Sequence, residues 1–285
     1  MTRPATARRP DERPPAPRRA WVQQIMGMPI SIHLRGAGVD DPAAAAAVDA
    51  VFGELRAVDA VFSTYRSDSD VSRLNRHETT VAACHPDVAT VVELCDEARA
   101  RTGGAFDPHL PGPDGRRWFD PSGLVKGWAA ERAAGRLRRL APLGVDFCLN
   151  AGGDVVVGVA GESCSGWRVG VEDPDDVRRI LGVVPLRSGA VATSGSAHRG
   201  AHIVDPRTGR PAEALRAATV TGPSLLWADV YATTTIVTGV ATLEAIATLP
   251  GYEALVITPA GDALATPGFV LEQPGASVVS PGDER

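Results

Sequence analysis

The apolar residues of this chain change period repeatedly, and that pattern limits the folds open to it. Helical spacing holds over Ala43–Phe62, where Val48, Val51, Phe52, Leu55, Val58, Val61 and Phe62 follow the start signals Asp40, Asp41 and Pro42. It returns over Pro86–Arg101, with Val88, Val91, Val92 and Cys95 on one face and Gly103-Gly104 as the stop. Val125–Leu140, Trp227–Thr238 and the short Thr242–Thr248 also read as helices. Between them lie short runs rich in β-branched residues. Val22–Leu34 is a strand or a strand pair about Gly27; Val145–Leu149, Val155–Val159, Trp167–Val171, Gly182–Leu186, Val191–Thr193, Ala218–Thr221 and Ala254–Thr258 are further strands. No regular strand–helix–strand repeat connects them, so the expected class is α+β with mixed, mostly antiparallel sheet and packed helices.

At 285 residues the chain can bury a full core, and a net charge of −5 argues against a nucleic-acid binder. No apolar run is expected to span a membrane. Four separated cysteines without a C-x-x-C pair, and no apolar core after the basic start, suggest a cytoplasmic protein. Residues 1–20 hold six arginines and five prolines and read as a disordered tail; 21–273 form the folded part and 274–285 a polar tail.

Lys126 is the only lysine, and the other 28 basic residues are arginines. A position that keeps a compact ammonium in such a chain has a use for a point charge rather than a planar fork. It follows Asp120-Pro121-Ser122-Gly123, cap and turn residues ahead of a helix whose N-terminal N–H groups and dipole suit a phosphate. A solvated lysine on a surface turn is the plainer reading.

Five further segments are candidates for chemistry. Asp229 and Thr233, four apart on a helix, offer a carboxylate and a hydroxyl side by side, suited to a hard cation or to local capping. Thr193-Ser194-Gly195 after a strand can present hydroxyl and N–H groups to an anion. His202 precedes the turn D-P-R-T-G and could act as a general base, or simply close a hairpin. Tyr65, in the polar loop Phe62–Asn75, could pack or stack on a planar ring, and Asn150–Asp154 is either a tight hairpin or a close approach to a ligand. There is no G-x-G-x-x-G, Walker or G-x-S-x-G motif, and His and Cys lack zinc spacing.

Taken in order, eight stretches resemble the ApbE family of FAD:protein FMN transferases. They are M-G-M-P (26–29), F-S-T-Y-R-S-D-S-D-V-S-R-L-N (62–75), T-G-G-A-F-D-P (102–108) and D-P-S-G-L-V-K-G-W-A (120–129), then N-A-G-G-D (150–154), A-T-S-G (192–195), H-I-V-D-P-R-T-G (202–209) and A-D-V-Y-A-T (228–233). The resemblance implies an ApbE-like fold with an FAD cleft between lobes. It also implies Mg²⁺-dependent transfer of FMN from FAD to a threonine or serine hydroxyl of an acceptor protein, releasing AMP. On that resemblance Tyr65 stacks on the isoalloxazine; Met26, Ala105, Phe106 and Asp107 line the nucleotide site; Asp120 and Lys126 hold FAD. Ser194 and Gly195 belong to the cofactor set, Ile203 lies beside it, and the Gly123 carbonyl, Asp229 and Thr233 hold magnesium. His202 is the expected base, with Asp205 as its substitute and Lys126 the charge-neutralising group. An FAD diphosphatase and a flavin-binding module without turnover are the alternatives. Departures from the pattern are Ser122 for a usual glycine, Met28 for a usual threonine, and a short Pro108–Asp120 link.

Overall fold

The computed structural model describes residues 16–111, 115–195 and 203–273. The chain opens with a hairpin of β1 (Arg18–Ile25) and β2 (Met28–Gly36), followed by α1 (Pro42–Phe62), α2 (Asp70–Asn75) and α3 (Pro86–Arg101). A small ribbon of β3 (His109–Pro111) and β4 (Arg117–Phe119) leads into α4 (Ser122–Arg138). Next come β5 (Val145–Ala151), β6 (Asp154–Gly158), β7 (Trp167–Glu172), β8 (Ile180–Leu186) and β9 (Gly189–Gly195). The last part holds β10 (Val204–Asp205), β11 (Arg210–Pro211), β12 (Ala217–Gly222), α5 (Leu225–Thr238), α6 (Thr242–Ala247), β13 (Glu253–Ile257) and β14 (Ala263–Ala265).

Eight strands form one sheet in the order β1-β2-β5-β6-β9-β12-β13-β14. Every neighbouring pair is antiparallel, as the irregular succession of elements predicts. Helices α1, α4 and α5 pack on it, burying Val48, Phe52, Leu55, Leu124, Leu137 and Leu225 with Ile30, Ile32 and Leu149 of the sheet. A second cluster, Val171, Val184, Val191 and Leu255, fastens the separate β7–β8 ribbon to β9 and β13.

Several expectations need correcting. Strand β1 begins at Arg18, inside the segment read as a tail. Arginine content misled because an edge strand tolerates charge: Arg19 reaches Asp40 at 3.6 Å and lies over the Trp21 ring at 5.4 Å. The loop read over Phe62–Asn75 is half helix. Ser69 caps α2 by accepting from the Ser72 N–H at 3.0 Å, and Asn75 at its end exchanges two hydrogen bonds with the Phe119 backbone at 2.8 and 2.9 Å. Finally, Leu225–Ala247 is a 23-residue helical stretch apolar enough by composition to cross a membrane, contrary to the expectation above. In this fold it is broken at Gly239, whose φ is 76°, and α5 is packed against α4, β9 and β12.

Candidate active site

A cavity of about 780 Å³ opens where the β1–β2 turn, the C-terminal end of α1, the first turns of α4, the β5–β6 turn, β7, β9 and α5 meet. That size lies within the usual range of small-molecule sites. Helix α4 starts at Ser122, three residues before the expected Val125; the Pro121 carbonyl accepts from Leu124 and Val125, and Asp120 Oδ1 accepts from the Ser122 N–H at 3.0 Å. Gly123 therefore stands in its first turn, where a Cβ would meet the Phe106 ring at 3.3 Å. One turn on, Lys126 projects to the cavity floor.

Lys126 Nζ lies 2.5 Å from Asp154 Oδ2 and 3.4 Å from Asp229 Oδ1. Both carboxylates are almost fully buried, at 1% and 2% exposure. Asp154, the first residue of β6, also accepts from the Thr193 N–H of β9 at 3.0 Å through Oδ1. Among the described residues Asp229 Oδ2 has no partner, and Asp154 Oδ2 has none apart from the ammonium. Burial works against the lysine charge, but Asp229 and Asp154 outweigh it and hold the Lys126 pKa above its ordinary value. Burial, only partly opposed by Lys126, pushes the Asp229 pKa up. Lys126 thus bridges two buried carboxylates and lines the cavity.

On α5, Thr233 lies one turn beyond Asp229, and its hydroxyl is 3.1 Å from the Ser194 hydroxyl. Asp229, Thr233 and Gly123 all face the cavity. No group of three His, Cys, Asp or Glu side chains suited to a metal occurs among the described residues. One unpartnered buried carboxylate oxygen beside a hydroxyl and a cavity-lining backbone is nevertheless a hard-oxygen set that fits Mg²⁺, an ion that keeps water and substrate ligands.

The cavity also gathers Met26, Tyr65, Ala105, Phe106, Asp107, Asp120, Ser194, Gly195 and Ile203. Met26 sits in the β1–β2 turn with φ 55°, a left-handed conformation unusual for methionine and a form of strain that clusters at ligand sites. Asp107 is held by Arg117 at 2.6 Å and Arg99 at 3.5 Å. Tyr65 is 99% exposed, so it does not pack on the core. The Asn150–Asp154 segment is a tight β5–β6 turn, and its residues Asn150, Gly152 and Gly153 line the cavity.

Two base candidates fare differently. His202 lies outside the described residues. Asp205, in contrast, is not among the cavity-lining residues; both its oxygens accept from the Arg207 guanidinium at 2.9 Å, which holds its pKa below the ordinary carboxylate value. Its backbone carbonyl accepts from Thr208 and Gly209, so D-P-R-T-G is the turn between β10 and β11, and Asp205 is a poor base. Sequence reasoning named Asp154 only as part of a turn motif. A lone lysine opposite two acids was the available signal, but the chain order does not say which acids.

Comparison with known proteins agrees with this geometry. A family model described as the ApbE family matches residues 26–118 and 110–256. The FAD:protein FMN transferase of Escherichia coli K12 is 30% identical over 161 residues, 52% of this chain and 45% of that protein. The FAD:protein FMN transferase of Rhodobacter capsulatus is 36% identical over 132 residues, 43% of this chain and 25% of that protein. The chain thus spans about half or less of the length of these relatives. The fold matches the ApbE protein of Thermotoga maritima with a TM-score of 0.75 at 20% identity, covering 88% of this chain and 97% of that one. It matches the flavin transferase ApbE of Vibrio cholerae with a TM-score of 0.73 at 24% identity, covering 90% and 100%. With the family model covering most of its length, the chain belongs to the ApbE family.

Proposed function

We propose that this protein transfers FMN from FAD to a threonine or serine hydroxyl of an acceptor protein, releasing AMP, with Mg²⁺ as the required ion. The observation that carries the reading is the Asp154–Lys126–Asp229 arrangement on the floor of a cavity large enough for a dinucleotide. The acceptor oxygen attacks the FMN-side phosphorus, the bond from that phosphorus to the bridging oxygen breaks, and AMP leaves with the electron pair. Asp229, Thr233 and the Gly123 carbonyl would hold the ion, which when bound supplies charge neutralisation along the diphosphate.

Lys126 keeps its proton throughout the neutral range and offers a fixed positive charge where negative charge develops. Tyr65 and Met26 would orient the flavin, and Phe106 with Ala105 would keep water from one side of it. The acceptor proton passes to a base, for which His202 is the candidate; such help is worth about 10²–10⁴-fold in rate.

Intact-mass spectrometry of candidate acceptor domains incubated with this protein, FAD and Mg²⁺ tests the reading, with a chelator control. A metal-dependent gain of the mass of FMN supports it. Release of FMN and AMP into solution without labelled protein would instead establish a diphosphatase. Intact FAD across a broad acceptor screen would leave a binding module. His202→Ala should abolish transfer while FAD still binds.

A further inference from the structure

Among the described residues, the β7–β8 ribbon has one edge paired by Glu272 and one edge, on β7, with no strand beside it, and residues of β7 line the cavity. Val183 of β8 exchanges both its backbone hydrogen bonds with Glu272, each 2.8 Å long, so its N–H and C=O point away from β7. Val183 is the register partner of Gly170. In an antiparallel ladder, directly opposed residues either both bond across the pair or both point away. Gly170 therefore turns its N–H and C=O outward, and the two-residue period does the same for Arg168. Pro185 stands opposite Arg168, where a cross-strand N–H is not needed. Among the described residues, no strand pairs with β7 on that side.

An open edge is a template for another strand, and proteins ordinarily cover or blunt it. Here Arg168, Val169 and Gly170 all line the cavity that holds Lys126 and Asp229. Val171, on the face of β7 that Val169 shares, is pinned to Val184 and Val191, so the edge is held rigidly. At Gly170, between Arg168 and Glu172, the Ile180 side chain of β8 lies over the exposed face, where an added Cβ would meet its Cδ1 at 3.1 Å.

We infer that β7 is the docking strand for the acceptor. On the transferase reading above, on which this rests, an extended segment carrying the acceptor hydroxyl pairs with the outward groups of Arg168 and Gly170. Because Arg168 and Gly170 line the same cavity as Lys126 and Asp229, an extended segment paired with them runs along its wall. Main-chain pairing supplies affinity, and side chains facing the cavity supply selectivity.

The test uses wild-type enzyme and a short synthetic peptide from a protein that gains FMN in the assay above. One backbone amide at a time is N-methylated. Only alternate amides of a strand face its neighbour, so the acceptor KM should rise about threefold to tenfold at every second residue and stay level between them. Equal effects at consecutive residues, or none, would overturn the inference. Transfer to the unmethylated peptide reads the transferase itself, so the two failures are distinct. In the same protein, Gly170→Pro removes an outward N–H that the β7–β8 ladder does not use. It should raise the acceptor KM about tenfold in protein that still binds FAD; an unchanged KM would count against the edge.

Discussion

Lys126 on α4 bridges Asp154 on β6 and Asp229 on α5, joining one helix to both the sheet and its neighbouring helix through a single ammonium. Its side chain is only 21% exposed, so the charges are poorly screened. Removing it strands two buried carboxylates, a change that costs about 3–5 kcal/mol. Lys126→Met should therefore lower Tm at pH 7 and recover part of the loss at pH 5, where Asp229 takes up a proton more readily. Thermal melts at the two pH values check this. A loss that did not depend on pH would mean the carboxylates are not the source.

Asp229 predicts the pH response of the metal-free protein. Burial raises its pKa from 3.8, Lys126 opposes that, and the charge of Asp154 adds to it. Above about pH 3.8 the unfolded chain releases this proton while the folded one retains it, so stability falls as pH rises through the window between the two values. Above the raised value the penalty is constant. Lys126 stays charged throughout and adds no slope there. Asp229→Asn lacks the titration, so its Tm relative to the unchanged protein should climb with pH across that window and then level off. Melts in a chelator give the comparison, and a flat difference would contradict the raised pKa.

Tyr65 separates binding from stability. Being 99% exposed, it contributes little to folding, so Tyr65→Ala should move stability by no more than about 0.5 kcal/mol. If its ring stacks on the flavin, FAD affinity should fall by up to about tenfold, as expected for an aromatic pair. Flavin-fluorescence titration beside a thermal melt reads both. Unchanged affinity would remove Tyr65 from the flavin site.

Elements with strong local signals were legible from the sequence. Helix α3 runs from Pro86 to Arg101 as read, because a proline start, a periodic face and a double-glycine stop are all local. Helix α4 starts earlier than read because Ser122 and Gly123, residue types that favour turns, form its first turn. Strands β3, β4, β10, β11 and β14 are two or three residues long and show no period. Cavity residues that lie in the eight motifs were named, whereas Arg168, Val169 and Gly170 of β7 lie outside them, and the contact at the floor was not foreseen. Lys126 meets Asp154 only after α4 packs on the sheet, a tertiary event with no trace in the spacing.

Gly127 sets how closely that packing can occur. A Cβ there would lie 3.0 Å from the Leu225 carbonyl oxygen, 3.1 Å from Leu226 Cα and 3.2 Å from Asp229 Cβ. Two of these atoms are backbone and cannot swing aside, so an added methyl must move α4 away from α5. Glycine to alanine inside a helix ordinarily stabilises by about 1 kcal/mol. Overpacking at a tight contact costs about 1–3 kcal/mol, which offsets that gain or exceeds it. Gly127→Ala should therefore show no stabilisation in chemical denaturation. By widening the gap between Lys126 and Asp229 it should also raise the Mg²⁺ concentration needed for half-maximal transfer. A variant stabilised by the full helical increment, with unaltered metal dependence, would show that the two helices can separate without disturbing the site.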